Sequence, residues 1–233
     1  MILDKSSSMN SVRDATISGL NEQLDSIRKA AEDFDNQEQI VCFVTFSDSV
    51  DTDQLWNVKI EDFTNFGDET GDNSYSPNGM TALYDAIGIG INKLRNQISA
   101  DLADRKANAV VTIFTDGHEN VSREFDGSQV RTLTEEIQET GQWTVAFIGA
   151  GGDDVFRVAQ SMGVTRGNTM AYDAGSAGTA RAMTTMSKSL YTRAEAYSQS
   201  LDMGIENMAD VNQGMDFFAI NPDLDDEEDK TNE

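Results

Sequence analysis

At 233 residues with one cysteine, Cys42, the chain is long enough for a sizeable domain plus an appendage and has no disulfide framework. Its formal net charge is −24, from 41 acidic and 17 basic residues, which argues against nucleic acid or an anionic membrane surface as a partner and favours cations and basic surfaces. No apolar stretch approaches the ~20 residues that span a bilayer. With no N-terminal signal segment and a free thiol inside an apolar run, the expected setting is reducing and cytoplasmic.

Met1, Ile2 and Leu3 read as the end of a short first strand. Leu20, Leu24, Ile27, Ala31 and Phe34 step by four and three, so residues 11–34 are expected as a long helix with one face on a sheet. The continuous apolar run 40–46, rich in β-branched and aromatic residues, predicts a strand buried on both faces, with Cys42 inside it. Ser47, Asp48 and Ser49 turn the chain into a hairpin or edge segment over 50–60, and residues 62–78, with Gly67, Gly71 and Pro77, read as a loop.

A second helical stripe runs through Leu83, Ile87, Ile91, Leu94 and Ile98, flanked by Ala82, Ala86 and Gly90, whose small side chains permit close approach to the sheet. Residues 109–114 and 143–148 are expected as further buried strands, with a helix over 128–140 closed by Gly141 between them. Val155, Val158, Ala159 and Met162 mark a short helix, 168–172 an edge strand, and 176 to about 198 a last long helix. Strands alternating with helices imply right-handed crossovers and a mainly parallel sheet with both faces covered. Residues 199–233 differ in kind. Asp225, Asp226, Glu227, Glu228 and Asp229 stand in succession, a pattern expected of a solvated, disordered tail, while Met215, Phe217 and Phe218 just before it are able to dock on the domain or on a partner.

Straight after the first apolar residues comes Asp4-Lys5-Ser6-Ser7-Ser8. Alternate residues of extended backbone project to one side, so the Asp4 carboxylate and the Ser6 and Ser8 hydroxyls can converge. Such oxygens suit a hard divalent cation, Mg²⁺ or Mn²⁺. Taken alone, the five residues read more simply as a helix-capping Asp followed by polar loop serines.

Two later stretches change that reading. Gly79-Met80-Thr81-Ala82-Leu83 opens an amphipathic run, and Thr112-Ile113-Phe114-Thr115-Asp116-Gly117 closes an apolar one. The order Asp-x-Ser-x-Ser, then Thr at a helix start, then Asp-Gly at a strand end, resembles the metal-ion-dependent adhesion site (MIDAS) of von Willebrand factor A (vWA) domains. Arg13-Asp14-Ala15-Thr16-Ile17, residues 79–87 and 115–125, and Phe147-Ile148-Gly149-Ala150 extend the resemblance, to a branch of the family found in bacteria and their phages, over about the first 190 residues. The resemblance implies a doubly wound α/β fold, a mainly parallel sheet with helices on both faces, formed by residues 1–198, with 199–233 as a C-terminal segment ending in the acidic tail. It also implies one Mg²⁺ (or Mn²⁺) at Asp4, Ser6, Ser8 and Thr81, with Asp116 behind it, acting through water or a hydroxyl. The implied partner is a protein that supplies a Glu or Asp carboxylate, and an AAA+ ATPase system is among those the family permits. Ser7 stands where the family commonly has Gly, and the first strand is shorter than usual, so a constrained loop and weaker support for Asp4 are expected.

Enzyme chemistry finds few candidates. There is no Gly-x-x-x-x-Gly-Lys-Ser/Thr phosphate loop and no Gly-x-Gly-x-x-Gly opening. A haloacid-dehalogenase phosphatase needs a second Asp where Ser6 sits. His118 is the lone histidine, close in sequence to Asp116 but readable as a loop-bridging polar residue. The expected function is therefore a non-enzymatic, cation-dependent protein-interaction domain. An acidic decoy that imitates nucleic acid, and a hydrolase using the cation as Lewis acid, are the alternatives.

Overall fold

The computed structural model describes residues 1–53, 55–67, 73–204 and 215–218; the acidic stretch 223–233 lies outside them. The chain begins with β1 (Ile2–Asp4), passes through a 3₁₀ turn (Ser7–Val12) and enters α1 (Arg13–Asp33). Then follow β2 (Ile40–Val41), β3 (Val44–Phe46), β4 (Val50–Asp51) and β5 (Val58–Lys59). Next come α2 (Leu83–Gln97), α3 (Ser99–Ala103), β6 (Ala109–Thr115), α4 (Gly127–Glu139) and β7 (Trp143–Ala150). The last elements are α5 (Asp153–Ser161), β8 (Thr169–Tyr172) and α6 (Ser176–Asp202), the last helix running past the expected end near 198.

The main sheet is six-stranded in the order β4-β3-β1-β6-β7-β8, and every pair except β3–β4 is parallel. This is the doubly wound α/β arrangement, since alternating residues feed two separate cores. Leu3 and Phe114 face Leu20 and Leu24 of α1 and Met183 and Met186 of α6. Ile2, Val44 and Ile113 face Leu83, Ile87 and Ile91 of α2, with Val130 of α4 and Val155 of α5 on the same side. The small flank of α2 does what its composition predicts: a Cβ on Gly90 would lie 3.0 Å from Val44 Cγ2, so the helix rests directly on the sheet.

The run 40–46 is not one strand. The chain breaks at Cys42 and Phe43, where Phe43 N–H donates to the Leu55 carbonyl at 2.8 Å. Before the break, β2 pairs antiparallel with β5 in a separate two-stranded ribbon; after it, β3 joins the main sheet. One apolar run thus serves two sheets, and Ile40 is left exposed. Cys42 is half-buried rather than buried; burial still pushes its thiol pKa up, against a bond from the Asn57 N–H at 3.4 Å.

The described parts of the 62–78 loop carry no regular structure beyond a 3₁₀ turn (Ile60–Asp62), yet they are anchored by aromatic side chains. Phe63 and Phe66 pack on Phe43, with ring centroids 5.7 and 5.0 Å away, and Tyr75 is fully buried. Phe217 and Phe218 dock on the domain: both rings join the α1–α6 core, and their N–H groups donate to Asn168 Oδ1 at 2.7 Å and the Gly167 carbonyl at 3.1 Å. Near them, the buried Arg193 gives Nη2–H bonds to Thr144 Oγ1 (2.8 Å) and the Met215 carbonyl (3.3 Å), and burial depresses its pKa.

Candidate functional site

In an open parallel sheet, the loops at the carboxyl ends of the strands gather on one edge. Here β1 ends in Asp4 and β6 in Thr115, and α2 starts just after Thr81. The first strand is short but not weakly held: Asp4 is paired in register with Phe46 of β3, while Ile2 and Leu3 are paired with Ile113 and Phe114 of β6.

Asp4 is fully buried, and both its oxygens accept hydrogen bonds. Oδ1 takes the Ser6 N–H at 2.6 Å, and Oδ2 takes the Thr115 hydroxyl at 2.6 Å. The chain of oxygens continues outward. Ser6 Oγ and Ser8 Oγ are 3.1 Å apart, and the Ser8 hydroxyl donates to Asp116 Oδ1 at 2.6 Å. A Cβ built on Gly117 would stand 3.0 Å from Thr81 Oγ1 and 3.5 Å from Asp4 Oδ2, so the third loop reaches the same spot. Asp4, Ser6, Ser8, Thr81 and Asp116, spread over more than a hundred residues of sequence, therefore meet at one edge.

The loops are tied by bonds to backbone carbonyls. Ser7 N–H donates to the Gly79 carbonyl at 3.0 Å, Asn78 N–H to the Lys5 carbonyl at 2.7 Å, and Tyr75 Oη–H to the Asp4 carbonyl at 2.6 Å. Gly79 sits at φ +86°, and a Cβ there would be 2.2 Å from Asp48 Oδ2, so a side chain at this position is strained and displaces Asp48. Ser7 needs no such freedom. Among the described residues the non-glycine ones with positive φ are Asn57 and Arg105, and Ser7 simply opens the 3₁₀ turn.

Thr81 is buried, and its backbone is clamped by Asn120: its N–H donates to Asn120 Oδ1 at 2.9 Å, and its carbonyl accepts from Asn120 N–H at 3.1 Å. Thr81 is not the N-cap residue: that position is Ala82, and no side chain caps the helix from it. The N-terminus of α2 is served instead by Glu119, whose Oε2 accepts from Tyr84 N–H at 2.9 Å. Asp85 in turn accepts N–H bonds from Arg123, Glu124 and Phe125, fixing the 117–125 loop over the helix start.

Electrostatics follow from this packing. Burial pushes the Asp4 pKa up, against the bonds from Thr115 and Ser6, with a smaller upward push from the Asp116 charge. Burial likewise raises the Asp116 pKa, against the bond from Ser8. Among the described residues no basic side chain is paired with either carboxylate. Nor does any group of three or more His, Cys, Asp or Glu gather among them, so the donors here are two carboxylates and a set of hydroxyls. An all-oxygen set with two uncompensated acids fits a hard divalent cation.

Sequence reasoning passed over four residues that shape the site. Thr115 stood inside a motif, but its hydroxyl bond to Asp4 depends on β1–β6 adjacency. Tyr75 lay in an apparently featureless loop, and its role under Asp4 had no local signal. Asn120 and Glu119 had only their polarity. His118 is exposed beside Gly117.

The sequence model of the von Willebrand factor type A domain matches residues 1–196. No curated protein sequence matches the chain. Among solved structures, proximal thread matrix protein 1 from the mussel byssus is similar at 15% identity over 78% of this chain and 42% of that one, with a TM-score of 0.46. A von Willebrand factor type A protein from Catenulispora acidiphila is similar at 14% identity, over 82% and 41% of the two chains, with a TM-score of 0.47. The chain thus spans less than half the length of those two proteins. The von Willebrand factor domain of the type V pili tip protein Mfa5 from Porphyromonas gingivalis is similar at 12% identity, over 88% and 94%, with a TM-score of 0.45. With a match that runs from the first residue through most of α6, the chain belongs to the von Willebrand factor type A domain family.

Proposed function

We propose that this chain is a non-enzymatic docking domain that holds a partner protein's Glu or Asp carboxylate through one Mg²⁺ or Mn²⁺. Domains of this family generally mediate protein–protein interactions. The observation that carries the reading is the convergence of Asp4, Ser6, Ser8, Thr81 and Asp116 from three loops, with two buried or half-buried acids and no basic partner among the described residues. Asp4, Ser6, Ser8 and Thr81 would hold the cation, and Asp116 would act through the Ser8 hydroxyl it already engages. When bound, the ion supplies an electrophilic position for an anionic oxygen, because neutral hydroxyls leave most of its charge unspent. The chain's own part is positional. Thr115 orients the Asp4 carboxylate, and the Asn120 clamp holds Thr81 against the 117 turn.

Calorimetric titration of Mg²⁺ and Mn²⁺ into wild type and Asp4→Ala tests the assignment. Wild type should take up one ion and Asp4→Ala none; equal stoichiometry and affinity in both sink the site. The net charge of −24 also supports an acidic decoy. Partner capture that survives EDTA but fails in high salt would favour that second reading over metal-bridged docking.

A further inference from the structure

Beside the candidate site, on the α1 side of the sheet edge, lies a cleft of about 130 Å³. Phe43, Leu55, Phe66 and Tyr75 give it an apolar floor, and Lys5 and Asp51 stand in its walls. The cleft and the site share their partition. Lys5 directly follows Asp4, and its carbonyl is held by Asn78. Tyr75 lines the cleft while its hydroxyl bonds the Asp4 carbonyl at 2.6 Å. One wall of the cleft is thus the back of the loop that presents Asp4, Ser6 and Ser8. The ammonium of Lys5 has no ion pair among the described residues, on a chain whose formal net charge is −24.

We propose that this cleft is the specificity pocket of the docking site, and that the partner is an extended acidic peptide segment carrying a large apolar side chain close to its metal-seeking carboxylate. The proposal rests on the docking reading above. In an extended segment, side chains at i and i+2 lie on the same side about 7 Å apart, so one segment can present its carboxylate and its ring to two neighbouring subsites, here parted by the Asp4–Lys5 backbone and the Tyr75 side chain. The apolar lining takes the ring, and Lys5, the positive side chain of a lining that also holds Asp51, offers the acidic segment a local contact on a face the chain's overall charge would repel. Leu55 is the most useful residue to vary, because it is half-buried and outside the main sheet, whereas Phe43, Phe66 and Tyr75 are buried in the core.

The test uses three fluorescein-labelled peptides, Gly-Gly-Asp-Gly-Phe-Gly-Gly, its Phe→Ala form and its Asp→Asn form, with fluorescence anisotropy in Mg²⁺ and in EDTA. In Mg²⁺, the Asp/Phe peptide should bind wild type about tenfold tighter than the Asp/Ala peptide, the gain expected from burying the ring. Leu55→Gln should erase that preference yet leave the Asp/Ala affinity unchanged, and Lys5→Gln should weaken both Asp peptides. The Asn peptide and the EDTA samples should show no binding. Equal Mg²⁺-dependent binding of the Asp/Phe and Asp/Ala peptides overturns the specificity pocket while leaving the docking site in place. Failure of every peptide to bind wild type in Mg²⁺ overturns both. Binding of the Asp/Phe peptide that persists in EDTA shows the cleft acting without the site, and overturns their coupling.

Discussion

Thr81 is the residue at which two roles separate. A helix-capping Thr replaced by Ala costs about 1 kcal/mol, but Thr81 is not the N-cap residue of α2 and its hydroxyl points to the turn at Gly117. Thr81→Ala should therefore melt within a few degrees of wild type, yet lose most Mg²⁺-dependent association with a partner carboxylate. Thr81→Ser should retain much of it. Equal partner binding by the Ala and Ser variants would remove Thr81 from the site. Asp116 offers a pH test. Its pKa is raised in the folded state by burial, so the folded protein binds a proton that the unfolded chain, titrating near ~4, has released. In EDTA its ionised form thus costs stability above the folded pKa, and that cost is relieved as pH falls through it. The melting temperature of wild type minus that of Asp116→Asn should therefore increase as pH is lowered from about 7 towards about 4.5. With Mg²⁺ present, the trend should weaken or reverse, because ligation needs the ionised carboxylate.

At the scale of elements, the C-terminal segment contributes an aromatic pair to the domain. Phe217 and Phe218 are buried against each other, ring centroids 4.9 Å apart, and both are bonded to the 167–168 turn. Phe217→Ala should cost about 3–5 kcal/mol in urea unfolding. Removing residues 223–233, a mostly acidic stretch opposed only by Lys230, should leave the melting temperature nearly unchanged. A loss of several degrees on that truncation would show that the acidic block packs. The helices were legible because their apolar stripes are long and strongly periodic, as in α2. The run 40–46 was not, because a continuous apolar stretch carries no mark of where a chain leaves one sheet for another. The bond from Phe43 to Leu55 that makes the break joins residues twelve apart in a segment with no periodicity. For the same reason Asp4, Ser6, Ser8, Thr81 and Asp116 were readable as a motif order, whereas Thr115 and Tyr75 were not: their roles come from cross-strand adjacency and from a loop folding under β1.

Across the whole molecule, charge is the dominant unspent quantity. At −24 the folded chain repels itself, and the ten surface ion pairs among the described residues offset little of this. In EDTA, raising NaCl from about 0.02 M to about 0.3 M should raise the melting temperature as the repulsion is screened. A flat or falling curve would mean that the charges are already balanced by ions bound in the native state.

Mechanically, β1 is a seam. Three residues long, it is, among the described residues, the strand that joins the β4–β3 half of the sheet to the β6–β7–β8 half, and its last residue is Asp4. Force applied by a tethered partner at the site would reach the domain through these two short ladders, of three and two residue pairs. The amides of Leu3 and Asp4 would then be the gauge of that load. Their hydrogen exchange would slow when a bound cation pins the three loops together, and quicken when tension begins to part the sheet.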